Sequence, residues 1–254
     1  MNATLTATAT TSTLLACLLA LSGPAQAGVG GAPGASSARQ QLARSGNAST
    51  NASAGSDSSQ KMWRGQSNAE WTKAWWRWFT SIPVNVNPAM EVDPGIDCGI
   101  NQAGPVWFLA GPAGGTFTRA CTIPHDMAIL SPVTTYLNDY PCPDPAFQPA
   151  PGQTLQDFLT SGARFIIDSF TLTYAALDGK PLAVRRVTSP VFGFSAADDL
   201  KTLDACMTGS PQLGVSDGYF ITIEPLSPGN HVLQINSVSP IMGTTNATFN
   251  LKIH

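Results

Sequence analysis

Four aspartates in two short segments are the residues best placed for acid–base chemistry. Asp93 and Asp97 lie in DPGID, and Asp139 and Asp144 flank YPCP. Two carboxyl groups about 5–9.5 Å apart can hydrolyse a glycosidic bond, and carboxylate oxygens are the ligands that calcium prefers. Aspartates beside proline and glycine are also common turn residues. We prefer the turn interpretation and assign these residues neither a catalytic role nor a metal.

A serine in a hydrolase-like context lies in GFSAA. Ser195 is followed by Asp204 or Asp217 and then by His231, which is the chain order of the triad in α/β-hydrolases. That triad requires a strand-to-helix turn in a parallel sheet, whereas the surrounding residues alternate like antiparallel strands. His231 follows a Pro-Gly-Asn turn, and we expect it to point inward or to cap the turn. The sequence therefore favours a protein without catalytic residues.

His125 and Met127 offer a nitrogen and a thioether, which together could bind copper. Only two ligands are present, and Met127 begins an apolar run, so a packed methionine is the better interpretation. We expect neither a metal nor a cofactor. His125 and His231 are retained as candidate ligand-binding residues.

The first 27 residues have the features of a secretory signal. An apolar run from Leu14 to Leu21 precedes Ala25-Gln26-Ala27, which predicts cleavage after Ala27. The run is too short for a membrane span, which needs ~20 residues. Leu-Leu-Ala before Cys17 fits a lipoprotein signal poorly, so no lipid anchor is expected there. The sequence predicts a secreted protein, either extracellular or periplasmic.

Four cysteines follow this signal: Cys98, Cys121, Cys142 and Cys206. An even number of cysteines in an exported chain indicates two disulfides, with three possible connectivities. Cys98 and Cys121 bracket an expected strand and turn, so we prefer the pairs 98–121 and 142–206. We expect structural bridges rather than a metal site.

Composition divides the chain into three parts. After the signal, residues 28–60 are nearly all Gly, Ala, Ser, Asn and Gln, which predicts a disordered linker. Residues 61–254 are then expected to form a single domain. Because only 11% of the residues are charged and the formal net charge is −3, the chain lacks the basic patch that nucleic-acid binding requires.

Four of the six tryptophans lie within WTKAWWRWF, and the capping box Ser67–Glu70 predicts a helix over 68–80. An apolar stripe at i, i+4, i+7 and i+8 is formed by Trp71, Trp75, Trp78 and Phe79. This spacing is typical of a helix packed on a core. Trp76 lies beside the stripe, about 100° around the helix. We therefore predict that Trp76 is the ring that contacts a ligand such as a sugar.

Three segments alternate in polarity like half-buried strands: 170–174, 219–224 and 249–253. Six further segments are strand candidates: 106–111, 116–123, 127–133, 181–187, 190–195 and 231–238. Asp178-Gly179 predicts a hairpin turn. A second helix is expected from a cap at Thr154 to a stop near Gly162, and a short one over 196–203. The sequence thus predicts a mainly β fold, an antiparallel β-sandwich of Ig-like or jelly-roll type with an N-terminal Trp-rich helix.

Four sequence blocks lie within about 67–238: EWTKAWWRWFTSIPVNVNP, DCGINQAGPVWFLAG, RACTIP and DGYFITIEPLSPGNHVL. Together they resemble a broad group of exported microbial proteins. Shared patterns are a Trp-rich helix, C-x-x-x-Q-x-G-x-V-W-F-L-A-G, R-x-C-x-[IV]-P and L-x-P-G-x-H. The resemblance implies a secreted β-sandwich and no mechanism. The group usually continues P-[AG]-G-[KT] after this block, whereas here Pro124 is followed by His125-Asp126-Met127, so any role of His125 belongs to this chain.

Taken together, these features favour a non-catalytic envelope or extracellular protein that binds a glycan or a cell-surface polymer. A secreted hydrolase acting on a polymer, through a carboxylate pair or through Ser195 and His231, is the alternative. A purely structural component of an assembly is a third possibility.

Overall fold

A computed structural model describes residues 58–90, 97–112 and 114–254. The predicted signal peptide, Cys17, most of the predicted linker and Asp93 lie outside the described residues. Ser58–Gln60, assigned to the linker from sequence, belong to the folded part. Ser59 is buried, and the Ser58 hydroxyl donates to the carbonyl oxygen of Arg186.

Within the described ranges the chain forms two α-helices and twelve strands. The helices are α1 (Asn68–Thr80) and α2 (Leu155–Ile167). The strands are β1 (Met62–Trp63), β2 (Gln66–Ser67), β3 (Val106–Phe108), β4 (Gly115–Ile123), β5 (Ala128–Tyr140), β6 (Leu172–Leu177), β7 (Lys180–Pro181), β8 (Arg185–Thr188), β9 (Phe192–Phe194), β10 (Gln212–Ile223), β11 (Gly229–Ser239) and β12 (Gly243–Ile253). The predicted short helix over 196–203 is a 3-10 helix, Asp198–Thr202.

The strands form two large sheets and a small hairpin of β1 and β2, which confirms a mainly β fold. Sheet one has the order β3-β5-β10-β8, with β9 also paired to β10, and sheet two has the order β4-β12-β11-β6-β7. The pairs β3–β5 and β4–β12 are parallel, and the others are antiparallel. Alternating polarity did not reveal the two parallel pairs, because strands of either direction share the same period of two.

Apolar side chains of the two sheets share one core. Ile129 and Ile221 of sheet one belong to the same buried cluster as Leu233, Phe249 and Leu251 of sheet two. Each of these five residues is at most 2% exposed. The division into Ig-like or jelly-roll type stays a prediction.

Helix α1 packs against sheet one through a second buried cluster. Its bounds are those predicted, and the Ser67 hydroxyl accepts a hydrogen bond from the backbone N–H of Glu70 at 3.2 Å. The aromatic rings of α1 share this cluster with Phe108, Leu130 and Phe220 of sheet one. Sheet one therefore contributes to two separate cores, one with α1 and one with sheet two.

Helix α2 begins as predicted but does not end at Gly162. The Thr154 hydroxyl accepts a hydrogen bond from the N–H of Asp157 at 3.1 Å, and the helix continues to Ile167. A Cβ atom at position 162 would lie 3.0 Å from Cγ of Asn138. The prediction of a stop is wrong because the glycine here provides close packing against β5.

Both preferred disulfides are confirmed. Cys98–Cys121 has a Cα–Cα distance of 5.5 Å, and Cys142–Cys206 has one of 4.2 Å. In the part of the chain that the structure describes, neither α-helix has the length and apolar character needed to cross a membrane.

Candidate functional site

Trp76 lies inside the core formed by α1 and sheet one. It is 6% exposed, and its indole Nε1 donates to Ser216 Oγ at 2.9 Å and to Thr135 Oγ1 at 3.2 Å. Trp76 is therefore not exposed as a ring that stacks on a sugar would need to be, because sheet one covers a wider face of the helix than the four-residue stripe. This placement removes the basis for a ligand contact at this ring.

His125 and Met127 lie in the turn that connects β4 of sheet two to β5 of sheet one. The backbone N–H of His125 donates to the His254 carbonyl oxygen at 2.8 Å, and its ring Nδ1 is 3.1 Å from the same oxygen. Met127 packs against the core between the sheets, as predicted. Over the described ranges no group of three or more His, Cys, Asp or Glu side chains is arranged to hold a metal ion.

His231, near the start of β11, forms a hydrogen bond with the turn between β6 and β7. Its Nδ1 is 2.7 Å from Asp178 Oδ2, and its Nε2 is 3.0 Å from the Ser227 carbonyl oxygen. Because both ring nitrogens face acceptors, the doubly protonated ring is favoured, and the hydrogen bond to Asp178 raises the pKa of His231. The same bond lowers the pKa of Asp178.

The structure does not bring the members of the possible Ser-Asp-His triad together. Ser195 follows β9 in sheet one, whereas His231 lies on β11 in sheet two. Asp217 is fully buried and binds Arg186, with 2.6 Å between Nη2 and Oδ2. Asp204 accepts the backbone N–H of Cys206 at 2.9 Å. The structure therefore assembles no triad from these residues.

Asp97 and Asp144 have turn roles. Asp97 Oδ1 accepts the backbone N–H of Gly99 at 2.7 Å, and Asp144 Oδ1 accepts that of Ala146 at 2.9 Å. These bonds match the preferred interpretation of loop aspartates as turn formers.

The carboxyl pair that the fold does create is Asp139 with Asp204. Asp139 is 3% exposed, and burial together with the negative charge of Asp204 raises its pKa to about 7. Burial also raises the pKa of Asp204. Gln212 Nε2 donates to Asp139 Oδ2 at 2.8 Å and to the carbonyl oxygen of Cys206 at 2.6 Å. Sequence reasoning missed this pair because its members lie on separate elements, beside opposite ends of the Cys142–Cys206 bridge.

Sheet two presents its other face to solvent, except at Ala176 of β6, which is 1% exposed. Leu172 is 46% exposed and Tyr174 is 38% exposed, whereas Ala175 is fully buried. The side chains of Leu172 and Tyr174 thus point away from the core. We call the solvent-facing positions of β4, β6, β11 and β12 the outer face.

One line of side chains crosses the outer face, with one residue from each of four neighbouring strands. The strand registers pair Tyr174 with Asn236, Asn236 with Asn246, and Asn246 with Thr116. Asn236 Nδ2 donates to Asn246 Oδ1 at 2.8 Å, and Asn246 Nδ2 donates to Thr116 Oγ1 at 3.5 Å. We call these four residues the tyrosine row.

A second row beside it has similar chemistry. The same registers align Gln234, Thr248 and Thr118, and all three side chains are at least partly exposed. Amide and hydroxyl groups both donate and accept hydrogen bonds. Lys252 is the one charged side chain at the described solvent-facing positions of β4, β11 and β12.

The side chains of these rows have the chemistry that suits a ligand rich in hydroxyl groups. An aromatic ring provides apolar area with a polar end, and the amides and hydroxyls beside it provide hydrogen bonds without charge. The signal in the sequence was the recurrence of Asn, Gln and Thr at alternate positions of β11 and β12. No match to this chain was found among protein-family models, curated proteins or solved structures.

Proposed function

We propose that the protein is an exported, non-catalytic envelope or extracellular protein that binds a glycan or a similar surface polymer through the outer face. The observation that carries this proposal is the tyrosine row, in which an exposed aromatic ring adjoins hydrogen-bonded amides on a broad sheet surface. A surface of this kind suits an extended polymer, because its polar groups are spread over four strands.

Export is supported by two features. The signal pattern of residues 1–27 predicts secretion, and disulfides such as Cys98–Cys121 and Cys142–Cys206 persist mainly in oxidising compartments. An exported protein meets cell-wall and extracellular polysaccharides, which are candidate ligands for the outer face.

Substitution of the exposed ring tests the proposal. Tyr174→Ala removes the apolar contact while the inward residue Ala175 is unchanged, so we expect affinity for the bound polysaccharide to fall about tenfold. A glycan array followed by titration with the best ligand measures this loss. The matched control is Phe165→Ala, because Phe165 is 62% exposed but lies on α2. Equal affinities of the wild type and Tyr174→Ala would contradict the proposal.

A secreted hydrolase is the second candidate, and the Asp139–Asp204 pair is the observation that favours it. A buried carboxyl group with a pKa of about 7 could act as a general acid. Both side chains are at most 8% exposed, which keeps a polymer from reaching them, so we rank this candidate second. Release of reducing ends from a polysaccharide by the wild type, and its loss in Asp139→Asn, would reverse that ranking.

A further inference from the structure

We infer that the polymer is an uncharged polysaccharide that lies across the strands of sheet two, along the tyrosine row. This inference rests on the proposed function and adds the class of the ligand and its direction on the surface. It follows from the charge of the outer face, the spacing of its side chains and the hydrogen bonds between them.

The charge of the outer face favours a neutral ligand. The tyrosine row and the second row consist of tyrosine, asparagine, glutamine and threonine, and Lys252 lies toward one end of β12, paired in register with Thr122. An acidic polysaccharide would be attracted by several cations close together, and a basic polymer by several carboxylates. The described part of this face offers neither arrangement.

The spacing of the side chains favours a chain that crosses the strands. Neighbouring strands lie about 4.8 Å apart, so the tyrosine row offers one side chain at each such interval over a length of about 14 Å. Along a single strand, residues on one face recur only every ~6.7 Å. The length of one pyranose unit in an extended polysaccharide is close to the spacing between strands and shorter than the spacing along one strand.

The tyrosine row is also arranged before any ligand binds. Each of the two asparagines donates one amide hydrogen to the next residue of the row, from Asn236 to Asn246 and from Asn246 to Thr116. A side-chain amide has a second hydrogen to donate. Because the amides are already oriented, less side-chain entropy is lost on binding.

Tyr174 lies at one end of the tyrosine row, where the neighbouring side chains are apolar. In the neighbouring row toward the β11–β12 turn, Leu172 is paired with Val238, and both side chains are at least partly exposed. An aromatic ring bordered by apolar side chains suits the carbon-bound hydrogens of a sugar ring, while the amides suit its hydroxyl groups. One sugar would therefore stack on Tyr174, and the following sugars would lie over Asn236 and Asn246.

Two asparagines on the same strand allow a matched test of direction. Asn246 lies in the tyrosine row. Asn250 is on the same face of β12, two solvent-facing positions further along the strand, and it pairs with Val232 and Ala120. Both residues are exposed, so replacement by alanine should leave the melting temperature nearly unchanged. We expect Asn246→Ala to weaken binding about tenfold and Asn250→Ala to change it less than about twofold.

The probes are a panel of neutral polysaccharides (α-glucan, β-glucan, mannan and xylan), polygalacturonate and chitosan. We expect binding to a neutral member, nearly unchanged between about 0.05 and about 0.5 M NaCl because no charged contacts are screened. Salt-sensitive binding to polygalacturonate or chitosan that Tyr174→Ala abolishes would overturn the inference and leave the proposed function standing. Equal losses of affinity in Asn246→Ala and Asn250→Ala would contradict the inferred direction of the polysaccharide across the strands. Binding to none of these polymers would overturn both the inference and the proposed function.

Discussion

At the scale of single residues, Asp139 has an environment that an aspartate seldom occupies. Its carboxyl group is buried near Asp204, and its pKa is raised from 3.8 to about 7. The folded protein therefore holds a proton over a pH range in which the unfolded chain has released it. The stability due to this group is fully present below pH ~3.8 and is lost as the pH rises through about 7.

Asp139→Asn should remove this pH dependence. The amide is neutral at every pH, and its oxygen can still accept the hydrogen bond from Gln212. Between about pH 5 and about pH 8, we expect the free energy of unfolding of the wild type to fall by on the order of 1–4 kcal/mol more than that of the variant. Urea denaturation of both proteins at the two pH values measures this difference. Asp126→Asn is the control, because Asp126 is exposed. Parallel pH profiles for the wild type and Asp139→Asn would contradict this account.

At the scale of elements, α1 shows how a helix can be predicted while the accessibility of its rings is not. The cap at Ser67 and the apolar period are local properties, and they determined the helix bounds. The burial of Trp76 depends on Ser216 and Thr135, which come from distant strands and receive its N–H bond. No pattern inside the helix could reveal these partners.

The same limit applies to strand β6. Its alternating residues predicted a strand correctly, but Leu172 and Tyr174 point to solvent. Ala175 and Leu177 are at inward positions instead, and their side chains contact the core between the sheets. Which face of a strand is buried depends on the layer packed against it, and a period of two alone does not specify that layer.

Trp76→Phe should weaken the attachment of α1 without affecting the outer face. The substitution removes the N–H donor to Ser216 and Thr135 and leaves a small gap beside sheet one. We expect a loss of about 1–3 kcal/mol in the free energy of unfolding and an unchanged affinity for the polysaccharide. Urea denaturation and the glycan titration measure the two quantities. A loss of affinity in a variant of wild-type stability would instead place Trp76 at the ligand.

At the scale of the whole molecule, two disulfides join parts of the chain that are distant in sequence. The cysteine pairing was predictable because few alternatives existed and Cys98 and Cys121 bracket one strand and turn. The arrangement of the sheets was less predictable. The parallel pairs β3–β5 and β4–β12 depend on how remote segments meet, which local periodicity does not specify.

The two bridges should differ in their effect on stability. Cys142 and Cys206 are 64 residues apart, whereas Cys98 and Cys121 are 23 residues apart. In the chain-entropy description, the longer loop stabilises by about 4 kcal/mol and the shorter by about 3 kcal/mol. We therefore expect the double variant Cys142→Ala/Cys206→Ala to lose more stability than Cys98→Ala/Cys121→Ala. Denaturation of both double variants checks this order, and a reversed order would show that core packing at Cys98 outweighs loop entropy.

Sheet one packs against α1 on one side and against sheet two on the other. Most side chains of the outer face, in contrast, are exposed rather than packed. Side chains such as Gln234, Thr248 and Asn250 can therefore vary with little effect on folding. If the outer face binds a glycan as proposed, surface substitutions alone would suffice to change which sugar is bound. The same property makes the outer face a suitable site for randomised libraries aimed at new specificities.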